Sequence, residues 1–324
     1  MSVRASLNPR AAARARITPE GSLGDRIMRL LCIAAALLVG LVLVDVVYQV
    51  VRGAQPSIAR YGLHFLWRSQ WAPNMLHFGA LPYILGTAIS SAIALVIAAP
   101  VALAIAIYLS MMAPKAVRTI VGPLIEMLAA IPSVILGFWG ILIVAPVMQK
   151  DVEPALHSVL GFIPIFGPPQ TTGLSVFTAG VVLTVMVVPI IAALSRDLFL
   201  SVPQELKDGA EALGATQWEV IRGVVFPTTF SGVSAAIMLG LGRALGEAIA
   251  VASVIGSGFS IHSNLFETGN SLAARIALDI QFVVNPQHRA SLFYLALILL
   301  VLGLVTNLIA RAIARRYDVH RTFA

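Results

Sequence analysis

Two charged residues stand where this sequence is otherwise apolar. Within GRALGEAIAV, residues 242 to 251, Arg243 and Glu247 interrupt a run that extends from about Phe230 to Phe259. On an unbroken helix a spacing of four puts both on one face, within reach of each other. A charge near the centre of a hydrocarbon layer costs roughly 2.5 to 3.5 kcal/mol on insertion scales, so this face belongs against protein or a water-filled path. Two readings fit. One is an internal ion pair that fixes helix packing. The other is an intramembrane anion site, in which Arg243 attracts an oxyanion through its planar donor fork and Glu247 holds the guanidinium in place. Gly242 and Gly246 form a GxxxG beside the pair, which lets another helix approach closely. Glu126 is a further acid inside an apolar run and a candidate for the same path; snorkelling to the interface is its plain alternative, as it is for Asp45.

Other chemistry lacks its residues. No G-x-x-x-x-G-K-[ST] occurs, and Lys115, Lys150 and Lys207 follow no Gly-rich loop, so the usual cradle for ATP is missing. There is no H-E-x-x-H, no G-x-S-x-G and no paired-cysteine metal motif. The six histidines fall mainly in loops or at ends, and Cys32 stands alone in an apolar run. Nothing here predicts an enzyme, a metal site or a cofactor bound by this chain.

The elements that must position these residues follow from composition. With 58% hydrophobic and 11% charged residues over 324 positions, the chain reads as an all-α integral membrane protein. A hydrocarbon core of roughly 30 Å calls for about 20 apolar residues per helix. Six such runs lie at approximately 28–51, 78–110, 119–148, 173–199, 230–258 and 291–314. The second is long and holds Pro82 and Pro100, and is read as one tilted or kinked helix. Fifteen Lys and Arg fall on the side of the termini, including Arg118, Arg196, Lys207 and Arg222, against six on the other. That places both termini in the cytoplasm and makes the basic net charge topological, with no call for nucleic acid. Residues 1–27 form a basic tail ahead of the six-helix membrane-spanning body at 28–316, and 317–324 a short second tail. The first apolar run is too long for a secretory signal and reads as a retained anchor.

Between the spans, GFIPIFGPPQTTG at 161–173 is a turn region, a short re-entrant segment or a plain connector. The stretch 200–228, SVPQELKDGAEALGATQWEVIRGVVFPTT, is the long cytoplasmic loop. Pro203 can open a helix over Gln204 to Leu213, Gly214 can end it, and Thr216 can cap a second helix with Glu219 at the reciprocal position.

That loop resembles the EAA loop of ATP-binding-cassette importer permeases, where E-A-A is followed by three residues, a Gly, nine more and I-x-L-P. Here Asp208, Gly209 and Ala210 stand for E-A-A, Gly214 matches, and Val224, Phe226 and Pro227 end the motif. GALPYILGT at 79–87, EMLAAIPSVILGFWG at 126–140 and GRALGEAIAV are similar to the PstC-type, phosphate-specific branch of that family, and the similarity covers roughly 28–316. It implies a six-helix type I importer permease of MetI-like architecture in a bacterial inner membrane. It also implies a path for inorganic phosphate at Arg243 and Glu247, and alternating access coupled through the loop. The implied partners are a PstA-like second permease, a PstB-like ATPase dimer carrying ATP and Mg, and a PstS-like phosphate-binding protein. Glu211, Trp218 and Arg222 become candidate ATPase contacts, with Trp218 the apolar anchor and Gly214 the joint. A secondary, ion-coupled anion transporter is the alternative, and the long 200–228 loop argues against it.

Overall fold

A computed structural model describes residues 23–258 and 263–316. The sequence readings made of the basic tail through residue 22, of Phe259 and of the terminal segment 317–324 lie outside the described residues. Among the described residues there is no β-strand, and six helices are long and apolar enough to cross a membrane. The helices are α1 (Leu23–Tyr61), α2 (Leu81–Met112), α3 (Lys115–Ala129), α4 (Ser133–Leu160), α5 (Val176–Leu200), α6 (Gln204–Ala212), α7 (Gln217–Gly246), α8 (Ile249–Val254), α9 (Leu272–Asp279) and α10 (Pro286–Arg316). The chain divides into two compact units at residues 52 and 53. The first holds most of α1, an apolar helix in which Gln49 donates to Asp45 at 2.6 Å.

In the second unit the core is built on α2 and α5. Ala94, Ala98, Ala102 and Ala106 recur every four residues along α2 and are fully buried. Small side chains on one stripe let α5 come close. At Gly180 of α5 a Cβ would press on Ile93. Ala179, Val182, Leu183, Met186, Val187 and Ile191 of α5 complete this core. Gly240 of α7 lies against Val187 and Ile191, and Gly137 and Gly140 of α4 lie against α8. Near the other end, Tyr61, Phe65, Trp71, Phe78, Tyr83 and Tyr294 form an aromatic cluster. There Asp279 accepts from Trp71 Nε1 at 3.1 Å, pairs with Arg275 at 2.6 Å and contacts His288 Nε2 at 3.1 Å.

Two expected spans move. The run expected to cross over 119–148 is two helices, because Pro132 has no N–H to continue a helix and disfavours helical backbone at Ile131. The result is an amphipathic α3 and a membrane-length α4 that starts at Ser133. The run expected over 230–258 breaks at Glu247, and the helix before it starts at Gln217. The second short helix of the long loop is therefore the first part of a span. The cap itself forms as expected: Thr216 accepts from the Glu219 amide at 3.4 Å and Glu219 Oε2 takes the Thr216 amide at 2.8 Å. The second run is one continuous helix, as expected, with Pro82 in its first turn and Pro100 inside it. The 161–173 segment is a turn region with one short helical turn at Pro164–Phe166.

Candidate functional site

The helix carrying Arg243 ends at Gly246, and Glu247 adopts φ −72° and ψ 120°, outside the helical region. The spacing argument fails at that point, since i and i+4 share a face only while the helix continues. Among the described residues no ion pair joins Arg243 to Glu247. Glu247 Oε1 instead faces the Ala250 amide at 3.5 Å, at the start of α8. Neither the packing pair nor the carboxylate clamp expected from the sequence is made. Arg243 is exposed and has no acid partner among the described residues, on a helix end whose partial negative charge favours a cation. Its fork is open to an anion.

Gly242 and Gly246 flank it on an open face: a Cβ at either would meet nothing within 4 Å. The close approach expected of this GxxxG is not made among the described residues, whereas Gly240, two residues before Gly242, makes one. Ser234, Met238 and Gly242 on α7 and Thr306, Asn307 and Arg311 on α10 line a cavity of about 340 Å³ beside that face.

Glu126 is engaged elsewhere. It pairs with Arg196 at 2.8 Å, and Arg196 also reaches Asp197 at 2.9 Å. The bond ties α3 to α5, and among the described residues no contact joins Glu126 to Arg243 or Glu247. Sequence reasoning assigned Arg196 only to topology. The signal that could have found the pair is an acid and a base at matching ends of two neighbouring apolar runs.

The long loop is as modular as its composition suggests. Asp208, Gly209, Ala210 and Glu211 lie on α6, which ends as the Gly214 amide donates to Glu211 O at 2.9 Å. Gly214 has φ +88°, where a side chain would be strained, and nothing within 4 Å of its Cβ position. Around it, Leu213 and Trp218 are 91% and 62% exposed and Arg222 is exposed as well, so the joint presents an apolar pair to the outside. Pro227 has no N–H for the carbonyl four residues before it, and a wide helical turn over Ile221–Val225 precedes it. Lys207 was missed as anything but topology. It is 6% exposed and donates to Phe199 O at 3.3 Å. Burial, and then the nearby Arg118 charge, push its pKa below the ordinary 10.5. Among the described residues no group of His, Cys, Asp and Glu could hold a metal ion.

This architecture is that of a multi-pass permease: residues 100–319 match the family of binding-protein-dependent transport system inner membrane components. The chain is 43% identical to the phosphate transport system permease protein PstC of Pasteurella multocida, over 87% of this chain and 89% of that one. It is 41% identical to the PstC of Haemophilus influenzae, over 85% and 88%. A bacterial alginate ABC transporter, solved with an alginate-bound periplasmic protein, has the same fold at a TM-score of 0.60, with 18% identity over 92% of this chain and 98% of that one. The chain belongs to the PstC family of ABC importer permeases.

Proposed function

We propose that this chain is a permease subunit of an ATP-driven importer of inorganic phosphate. The observation that carries the reading is Arg243, a guanidinium with no acid partner among the described residues, just before a break between two helices and on a face of small residues that the described chain leaves open. A second, PstA-like permease covers that face, and the phosphate path runs between the two. Arg243 pairs with the oxyanion during passage, and Glu247 lies in the same path without clamping it. Glu126 acts through its bond to Arg196, holding α3 on α5. ATP and Mg are bound by a PstB-like ATPase dimer that receives α6 and the exposed joint at Leu213, Gly214 and Trp218. A PstS-like protein delivers phosphate to the opposite face, and both termini lie in the cytoplasm of a bacterial inner membrane.

The test is uptake of labelled phosphate by cells that depend on this permease, at matched membrane abundance. Uptake should resist excess sulfate and collapse in Gly214→Asp, because a side chain strains backbone at φ +88° and the carboxylate adds a charge beside the exposed apolar pair at the joint. Full activity in that variant would sink the coupling role of the loop. Competition by sulfate would reject phosphate as the preferred anion.

A further inference from the structure

Four cations of the second unit that are at least half-buried differ in their surroundings. Arg196 and Arg275 sit against carboxylates, Glu126 with Asp197 and Asp279 respectively. Arg118 and Lys207 make no such pair, although the Asp208 charge lies near enough to act on Lys207. They line one cavity of about 290 Å³, with Ser110 from the last turn of α2, Gln204 and Glu211 from α6, and Gln217 from the start of α7. Among the described residues neither cation has an ion pair, and Glu211 is exposed and bonds to neither. Arg118 donates through Nη2 to the Ser110 carbonyl at 2.9 Å, while its Nε is buried and has no partner. Lys207 is almost wholly buried, and its one hydrogen bond among the described residues, a long one to Phe199 O, leaves ammonium donors unused.

Two cations held close together, one of them on a buried side chain and the other half-buried, repel each other, and a buried donor without an acceptor is costly. A hydrophobic residue in place of either would remove both penalties. The arrangement makes sense if a third charge, negative and rich in acceptors, occupies the space. The amides of Gln204 and Gln217 add neutral donors around it. The cavity lies where α2 ends and α6 begins.

We propose that this pocket is an anion site that takes a phosphate-bearing group between Arg118 and Lys207, supplied by inorganic phosphate or by the headgroup of an anionic phospholipid. It stands apart from the Arg243 path and does not depend on the transport reading. Because Lys207 is on α6 and Arg118 on α3, a bound anion ties the coupling helix to the helix that follows α2. Occupancy thus sets how firmly α6 is anchored to the body it must move.

The chain has three lysines, Lys115, Lys150 and Lys207, so site-specific acetylation read by mass spectrometry reports on this pocket with internal controls. The assembled transporter is stripped of phospholipid in dodecyl maltoside and labelled with acetic anhydride in phosphate-free buffer. One arm then adds inorganic phosphate, the other phosphatidylglycerol. The acetylation rate at Lys207 should fall about tenfold when the anion stands at ten times its half-protecting concentration, with Lys150 unchanged. Protection in the first arm identifies free phosphate, and in the second the lipid headgroup. Arg118→Gln should abolish the protection. Arg118→Lys, which keeps the charge and loses the planar fork, should keep a part of it and serves where the glutamine variant does not assemble. A Lys207 rate that responds to neither addition, as when an acid of the ATPase already fills the pocket, overturns the proposal. So does protection that survives intact in Arg118→Gln.

Discussion

Arg243 and Glu247 lie four apart in sequence, yet the helix stops between them, so the two side chains have separate roles to test. If Arg243 meets the anion alone, Arg243→Gln should lower phosphate uptake about tenfold to a hundredfold, the range of one hydrogen bond to a charged group. Glu247→Gln should cost far less. Equal losses in uptake assays of the two variants would restore the clamp that spacing alone implies. Lys207 gives a second residue-scale prediction. Its pKa is lowered in the fold, chiefly by burial, so between that lowered value and the ordinary 10.5 the unfolded chain binds more protons than the folded one. Stability from this group therefore rises with pH across that window. In detergent without phosphate, the melting temperature of wild type relative to Lys207→Met should climb as pH approaches 10.5. A difference that stays flat would show that the lysine carries no such penalty.

At the scale of elements, what could be read from sequence was whatever rests on local rules. The six apolar runs, the Thr216 and Glu219 cap, the Gly214 stop and the continuous second span all follow from hydropathy and capping, and all appear. The misplaced spans share a cause. An apolar run is bounded by composition, but a helix is bounded by hydrogen bonding, and Pro132 and the turn at Glu247 cut within runs that stay apolar across the break. Pairing was less legible still, because Glu126 and Arg196 are 70 residues apart and meet only once α3 lies on α5. The glycines show the same limit. Gly240 and Gly242 look alike in sequence, but only Gly240 is in contact, with Val187 and Ile191 side-chain atoms within 3 Å of its Cβ position. Gly240→Ala should destabilise the folded chain by about 1 to 3 kcal/mol through overpacking, seen as a lower melting temperature. Gly242→Leu should leave the melting of the isolated chain unchanged and weaken its assembly with the second permease. A loss of melting temperature in both variants would mean the open face is used within this chain.

For the whole molecule, the decisive property is what it leaves exposed. A helix of the second unit that faces lipid needs apolar side chains, but Leu213 and Trp218 are exposed on a loop whose neighbours Asp208, Glu211 and Glu219 are charged, which is not a lipid-facing composition. Two large apolar side chains at a joint fixed by a left-handed glycine fit a pocket on a partner, and interface energy concentrates in such anchors. The joint is rigid on one side through the Thr216 cap and on the other through the Gly214 N–H bond to Glu211 O, so force applied at Trp218 passes into α7, the helix that carries Arg243. That continuity from Gln217 to Gly246, absent from the sequence reading, puts Trp218 and Arg243 on one span, with a wide turn at Ile221–Val225 between them, so the proposed ATPase contact and the proposed anion path share a helix. Trp218→Ala should therefore reduce copurification of the ATPase and phosphate uptake together, by about thirtyfold if the anchor contributes on the order of 2 kcal/mol. Its melting temperature should stay near that of wild type, because the ring has few contacts to lose. Normal copurification with lost uptake would place Trp218 in transmission of the stroke, and normal values of both would remove it from the interface.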